Sequence, residues 1–277
     1  MSPAAPRFVE ALEPLRSDPS HAAVLLDIDG TLAPIVRHAD DAHVPEATRS
    51  VLIEIAKRYR LVGCVSGRRA ATARQIVAIG SIAYVGNHGG ELLRPGATRP
   101  ELDPELAAWG ERVRAFAARA YTPEHQRLRV RAEDKHTIAA FHWRGAPDEA
   151  AAAAAVREIA ARAQEEGFAV HWGRKVLEVR PPIALDKGTG VTALLDGQPP
   201  EPPRSEGRAL RAALYAGDDA TDLDAFRGLR ALVRRGTLAC AVCVAVSSDE
   251  APPELLDESD LAIEGTDGVR ALLEALL

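Results

Sequence analysis

Two carboxylates stand two residues apart in Val24-Leu25-Leu26-Asp27-Ile28-Asp29-Gly30-Thr31-Leu32, at the end of an apolar run and directly before a glycine. An uninterrupted apolar run of this length reads as a buried parallel strand, and α/β folds bind their ligands at the carboxyl edge of such strands. There, one acid can attack a phosphorus centre as nucleophile while the other moves protons. A solvated pair of turn acids is the alternative for the motif taken alone.

Three further polar clusters follow apolar runs. In Val65-Ser66-Gly67-Arg68 a hydroxyl and the amides that open the next helix can bind phosphate oxygens, or Ser66 can cap that helix. Lys187, in Asp186-Lys187-Gly188, opens a helix, where the positive end of the dipole disfavours a cation and calls for an anionic partner. Ala216-Gly217-Asp218-Asp219-Ala220-Thr221-Asp222 gathers three acids at a strand tip. Their repulsion is relieved by a hard cation, and oxygen-only donors suit Mg2+; capping of the next helix by Asp219 is the alternative.

The elements that must position these groups follow from the hydrophobic pattern. Apolar runs and amphipathic stretches alternate as strand 22–28, helix 45–58, strand 60–66, helix 68–78 and strand 82–86, the rhythm of a parallel sheet built by right-handed crossovers. Between about 97 and 182 the pattern becomes helix 102–120, strands 126–132 and 136–143, helix 148–166, and strands 168–172 and 175–180. That order suggests helices on one face of an antiparallel sheet. The crossover rhythm then returns with helix 187–196, strand 210–216, helix 220–229, strands 238–246 and 260–263, and helix 266–276. The expectation is an α/β core with a parallel sheet, residues 1–95 and 184–277, interrupted by an inserted α+β domain, residues 96–183. Residues 94–97 and 182–186 would be its hinges, and Pro199–Pro203 a stiff surface connection.

Strand alternation puts Glu133 with Lys135, His142 with Arg144, and Glu178 with Arg180 on shared faces of the inserted domain. Such mixed-sign clusters can bind sugar hydroxyls or form a cross-strand salt-bridge ladder.

Composition narrows the partners. Across 277 residues, 34 Lys and Arg stand against 40 Asp and Glu, and a net charge of -6 offers no field for gathering nucleic acid. The start, Met1-Ser2-Pro3-Ala4-Ala5-Pro6-Arg7, has no apolar signal-peptide core, and no run approaches the roughly 20 apolar residues of a membrane span, so a soluble cytoplasmic protein is expected. No pattern speaks to the oligomeric state. Cys240 and Cys243 lie inside an apolar run without a second ligand pair nearby, which favours packing over a redox or zinc role.

The four clusters, in this order on this scaffold, resemble the motifs of the haloacid dehalogenase (HAD) superfamily of phosphatases. The resemblance spans the chain and implies a Rossmann-like HAD core. It implies Asp27 as nucleophile, Asp29 as general acid/base, Ser66 with Gly67 and Arg68 around the phosphate, and Lys187 beside the nucleophile. It also implies a Mg2+ cofactor held by Asp27, the main-chain carbonyl of Asp29, and Asp218, with Asp219 and Asp222 further out.

Glu133-x-Lys135, His142-x-Arg144, the run Gly173 to Pro182 leading into Asp186-Lys187-Gly188, the loop Gly86-Asn87-His88-Gly89-Gly90-Glu91, and Gly217-Asp218-Asp219-Ala220-Thr221-Asp222 are similar to trehalose-6-phosphate phosphatases. That likeness implies an inserted α+β cap domain of the C2B type. Its sugar contacts would be Glu133, Lys135, Arg144 and Glu178, with Arg174 or Lys175 as further candidates. No role follows for His88 or Glu91 beyond stabilising a turn. Ile28 replaces the aromatic residue frequent in the family and should face the core. With about 20 residues before the first strand, a stand-alone phosphatase is expected. Sucrose-phosphate, glucosylglycerol-phosphate and mannosylglycerate-phosphate phosphatases, and a phosphomutase, are the alternatives within the superfamily.

Overall fold

Strand β1 (Ala22–Leu26) is apolar on both sides because it is covered on both sides. Ala22, Val24 and Leu26 pack into one layer, while Ala23 and Leu25 pack into the other. The computed structural model describes residues 4–36, 41–102, 104–173, 175–183, 185–196, 209–248 and 251–277. Arg174 and the Pro199–Pro203 connection lie outside them.

The first layer is built by α1 (Ala4–Arg16), α2 (Glu46–Arg58), α3 (Ala70–Val77) and α10 (Gly265–Leu276). On the opposite face lie α7 (Lys187–Asp196), α8 (Asp222–Arg234) and the short α9 (Pro253–Asp257). The remaining strands of this sheet are β2 (Leu61–Val65), β3 (Ala83–Gly86), β4 (Glu91–Leu93), β9 (Ala212–Gly217), β10 (Cys240–Ser247) and β11 (Leu261–Glu264). They run in the order β11-β10-β9-β1-β2-β3-β4, all parallel except β4, which pairs antiparallel with β3.

Because β1 has β2 on one side and β9 on the other, the crossovers diverge next to it. Ligands of open α/β sheets bind at such a switch point, outside the carboxyl ends of the strands. Asp27, Asp29 and Asp218 all fall there.

The chain divides into two compact units, Met1–Glu101 with Leu185–Leu277, and Leu102–Ala184. The first runs beyond residue 95, where the sequence pattern suggested a break, because Leu92 and Glu101 exchange backbone hydrogen bonds of 3.0 and 2.7 Å. The second unit has a four-stranded antiparallel sheet in the order β5 (Arg131–Asp134), β6 (Ala139–His142), β8 (Val176–Arg180), β7 (Ala169–Gly173). One face carries Ala139, Phe141, Leu177 and Val179 against α4 (Pro104–Ala120) and α6 (Glu149–Glu165). The strand expected at 126–132 begins later. Thr122 and His125 form a capping box around Pro123, which starts α5 (Pro123–Arg127), and the chain extends only from Arg131.

Among the described residues, no helix is long and apolar enough to cross a membrane. Cys64, Cys240 and Cys243 are free thiols, and Cys243 is buried in the layer beside α8. Ile28 is buried in the core, as its strand position suggested.

Candidate active site

The parity of β1 decides where Asp27 points. It continues the series Ala23, Leu25 toward α7 and α8, and its N–H extends the ladder to the Ala216 carbonyl at 2.8 Å. Lys187, the first residue of α7, meets it there: Nζ donates to Asp27 Oδ1 and to Asp222 Oδ1, both at 2.7 Å, and lies 3.7 Å from Asp219 Oδ1. The anionic partner demanded by the helix position of Lys187 is thus a set of three carboxylates. Burial works against the ammonium, but the charges of Asp27, Asp222 and Asp219 outweigh it and push its pKa up.

Asp222 anchors the arrangement. Its side chain is fully buried, and four donors converge on its two oxygens. Lys187 and the Tyr215 hydroxyl (2.6 Å) reach Oδ1, while the N–H groups of Asp218 and Asp219 (2.9 Å each) reach Oδ2. The acid at the start of α8 therefore shapes the loop that carries Asp218. Asp219 closes the same turn, accepting from both the N–H and the hydroxyl of Thr221, the residue before α8, and so braces the turn without capping that helix.

Asp218 returns to the first loop, where the Thr31 hydroxyl donates to its Oδ1 at 3.2 Å. Gly30 permits that approach: its φ is +85°, and a Cβ there would lie 2.0 Å from Asp218 Oδ2. Two segments far apart in sequence thus press their acids together. One oxygen each from Asp27, Asp218 and Asp222 lie within 4.8 Å of one another.

The electrostatics describe a site with too few cations of its own. Burial, with Asp222 and Asp219 adding to it, pushes Asp218 up to about 7. Burial also raises Asp27 well above the usual carboxylate range, against the pull of Lys187 and with Asp222 and Asp218 adding to the rise. Buried, oxygen-only donors in excess of the one lysine fit a hard divalent cation such as Mg2+. With Asp222 committed to four donors, Asp27 and Asp218 are the side chains that could hold it.

Asp29 departs from this cluster. Its carboxylate is forked by Arg68, Nε to Oδ2 and the terminal nitrogen to Oδ1, both at 2.7 Å. Arg68, expected among the phosphate contacts, thus lies on the acid/base candidate. Ser66 is buried, and its Oγ accepts from the Arg68 N–H at 3.1 Å without capping α3. That cap comes from Glu91, whose Oε2 accepts from the Ala70 N–H at 2.8 Å while Oε1 takes the Asn87 amide at 2.9 Å. The loop of Asn87, His88 and Glu91 is therefore structural support for residues 66–70. Its backbone bonds to the Arg68 and Ser66 carbonyls, and a Cβ at Gly67 would come within 2.7 Å of the His88 ring.

The polar face of the second unit assembles a separate cluster. Register aligns Glu133, Ala140, Glu178 and His171 across its four strands. Lys135 Nζ donates to Glu178 Oε1 at 2.9 Å, Arg180 binds Glu178 Oε2 through Nε at 3.0 Å and through its terminal nitrogen, and His142 Nε2 meets Glu133 Oε2 at 2.9 Å. Burial opposes ionisation of Glu178, but Lys135 and Arg180 outweigh it and hold its carboxyl at about 2. The cross-strand ladder is thus present among the expected sugar contacts. Arg144 lies outside the strands: β6 ends at His142, and Arg144 is exposed in the following turn, where its charge bears on Glu149. Lys175 is paired with Glu149 at 2.6 Å.

Tyr215, Thr31 and the fourfold role of Asp222 were not singled out from sequence. Tyr215 carried a usable signal, because it lies opposite Leu25 on the neighbouring strand and shares the face of Asp27.

Residues 25–254 match the family model described as Trehalose-phosphatase. The chain belongs to the trehalose-phosphatase family. The trehalose-phosphate phosphatase of Mycobacterium tuberculosis (strain ATCC 25618 / H37Rv) is 34% identical over 245 residues, which cover 85% of this chain and 60% of that protein. The trehalose-phosphate phosphatase of Mycobacterium avium (strain 104) is 34% identical over 213 residues, 76% of this chain and 52% of that protein. The chain therefore spans only about half to three fifths of these two relatives. Among solved structures, the C-terminal domain of Candida albicans trehalose-6-phosphate phosphatase superposes with a TM-score of 0.68 at 21% identity, covering 98% of this chain and 96% of that one. At that identity the likeness speaks for the fold.

Proposed function

We propose that this member of the trehalose-phosphatase family is a Mg2+-dependent phosphoric monoester hydrolase that converts trehalose 6-phosphate to trehalose and inorganic phosphate through an aspartyl-phosphate on Asp27. The observation that carries the reading is the buried Asp27 at a strand tip, paired with Lys187 and facing Asp218 across the Gly30 turn.

Mg2+ held by Asp27 and Asp218 would offset the repulsion between the carboxylate and the phosphate dianion. Asp27 forms a bond to phosphorus as the bond from phosphorus to the sugar oxygen breaks, and Asp29 gives that oxygen its proton. Water then attacks the aspartyl-phosphate, Asp29 takes the water's proton, and Asp27 is released as a carboxylate with inorganic phosphate. Lys187 holds the nucleophile in place throughout. Ser66 Oγ and the amide of Gly67 are the proposed phosphate contacts, and Glu133, Lys135 and Glu178 supply the hydrogen-bonding groups for the disaccharide. The substrate is a small sugar phosphate, and the enzyme a cytoplasmic one acting without nucleic acid.

Phosphate release over a panel of sugar monophosphates, with and without Mg2+, tests the assignment. The expected result is Mg2+-dependent turnover with clear preference for trehalose 6-phosphate. A flat profile would reduce the protein to a general phosphatase, and preference for sucrose or glucosylglycerol phosphate would move it to a neighbouring activity.

A further inference from the structure

Asp29 and Arg68 are 39 positions apart, yet their side chains form a two-point fork with both contacts at 2.7 Å. The arginine backbone is pinned on both sides: its N–H donates to Ser66 Oγ at 3.1 Å and its carbonyl accepts from the Asn87 N–H at 2.8 Å. The arginine side chain is one fifth exposed and the aspartate side chain just over a third. A carboxylate beyond a strand end is free to turn about its own torsions. Held at both oxygens by a planar fork, it has a fixed plane and direction. Each carboxylate oxygen keeps a second lone-pair site, so the forked acid can still carry or accept a proton.

We propose that Arg68 is a positioning residue for proton transfer by Asp29 and not a ligand of the phosphate. The inference rests on the reading of Asp29 as general acid/base. In the first half-reaction the proton passes from Asp29 to the bridging oxygen as the bond from that oxygen to phosphorus breaks, leaving the Asp29 carboxylate ionised in the arginine fork. In the second half-reaction it returns from the attacking water. A sugar alkoxide is a poor leaving group and needs that proton, whereas a nitrophenolate departs without it. The geometry of the fork therefore separates the two esters in the first half-reaction, the release of the alcohol, while the hydrolysis of the aspartyl-phosphate that follows is common to both and depends on the fork in each. Lysine would bring the charge as a point without the fork and leave the carboxylate plane free.

The test compares wild type, Arg68→Gln, Arg68→Lys, Asp29→Asn and the Asp29→Asn/Arg68→Gln double variant, with Mg2+, on an alkyl ester and on p-nitrophenyl phosphate. The alkyl ester is trehalose 6-phosphate, or glucose 6-phosphate if the wild type turns over only that, so that failure of the trehalose assignment leaves the comparison readable. For Arg68→Gln the expected loss in the first-turnover rate of alcohol release is about 10²-fold on the alkyl ester, against less than about threefold for nitrophenolate release, with substrate affinity changed about threefold or less and steady-state turnover of both esters lowered alike by the shared hydrolysis step. Arg68→Lys should remain impaired on the alkyl ester, and the double variant should be no slower on it than Asp29→Asn alone. Equal losses on both esters carried by KM, losses that multiply in the double variant, or recovery of the alkyl rate by Arg68→Lys would each overturn the proposal. A wild type inactive on every ester would overturn it together with the phosphatase reading.

Discussion

The acid cluster at the sheet edge and the polar face of the inserted unit both hold carboxylates against cations, but the buried acids of the first rise while Glu178 in the second falls. At the sheet edge Asp27, Asp219 and Asp222 share one lysine with Asp218 beside them; the buried Asp27, Asp218 and Asp222 are raised, Asp218 to about 7, while at the exposed Asp219 desolvation is outweighed by Lys187 and Thr221, which lower it. On the inserted sheet Glu178 is bonded by both Lys135 and Arg180 and falls to about 2. An excess of buried negative charge leaves room for a divalent cation. A balanced cluster has no such need, and its pre-oriented donors and acceptors suit neutral hydroxyls. The two regions thus divide the work proposed for them, phosphate chemistry in one and sugar recognition in the other.

The sharpest way to break that division is Asp27→Asn. It should abolish Mg2+-dependent phosphate release, a loss of at least about 10³-fold, while a thermal melt still shows a cooperative transition. Wild-type-like turnover would end the nucleophile assignment. Next in size, Glu178→Ala should lower kcat/KM for trehalose 6-phosphate about 10- to 100-fold and that for p-nitrophenyl phosphate far less, since one partly buried charged hydrogen-bonding group is lost only to the sugar. Equal loss on both esters would make Glu178 a folding residue.

The smallest effect is one of acidity. Glu178 has an ordinary value of 4.5 and is held at about 2 in the fold, so its ionised form stabilises the native state. That contribution is complete above about pH 4.5 and is lost as pH falls through the interval down to about 2. All three tryptophans, Trp109, Trp143 and Trp172, lie in the inserted unit, so their fluorescence follows its unfolding by urea. The wild-type midpoint should fall more steeply across this interval than that of Glu178→Gln, and parallel curves would remove the electrostatic account.

Much of the core was legible because its signals are local. A buried parallel strand must be apolar throughout, so β1 and β9 stand out, and the acids that end those runs must lie at the sheet edge. Lys187 declared a need for anions by its place at a helix start. The cap of α3 was not legible, since Glu91 reaches Ala70 from 21 positions away. Ser66, the local candidate, bonds Arg68 instead. The start of β5 was misplaced because Pro123 fits a helix start as readily as it marks the edge of a strand.

The sequence by itself determined the alternation of elements, the interruption of the core by an α+β insertion, and the placement of its acids at strand ends, because periodicity and chain direction are properties of neighbours along the chain. Only the tertiary structure decided which groups each acid meets. Asp222 became a fourfold acceptor, Asp29 went to Arg68, Arg144 fell outside the sheet that holds Glu178, and Asp218 came to rest against Gly30. Those outcomes depend on crossovers and side-chain directions that bring remote residues within 3 Å or so, where hydrogen-bond geometry, not spacing in the chain, selects the partner.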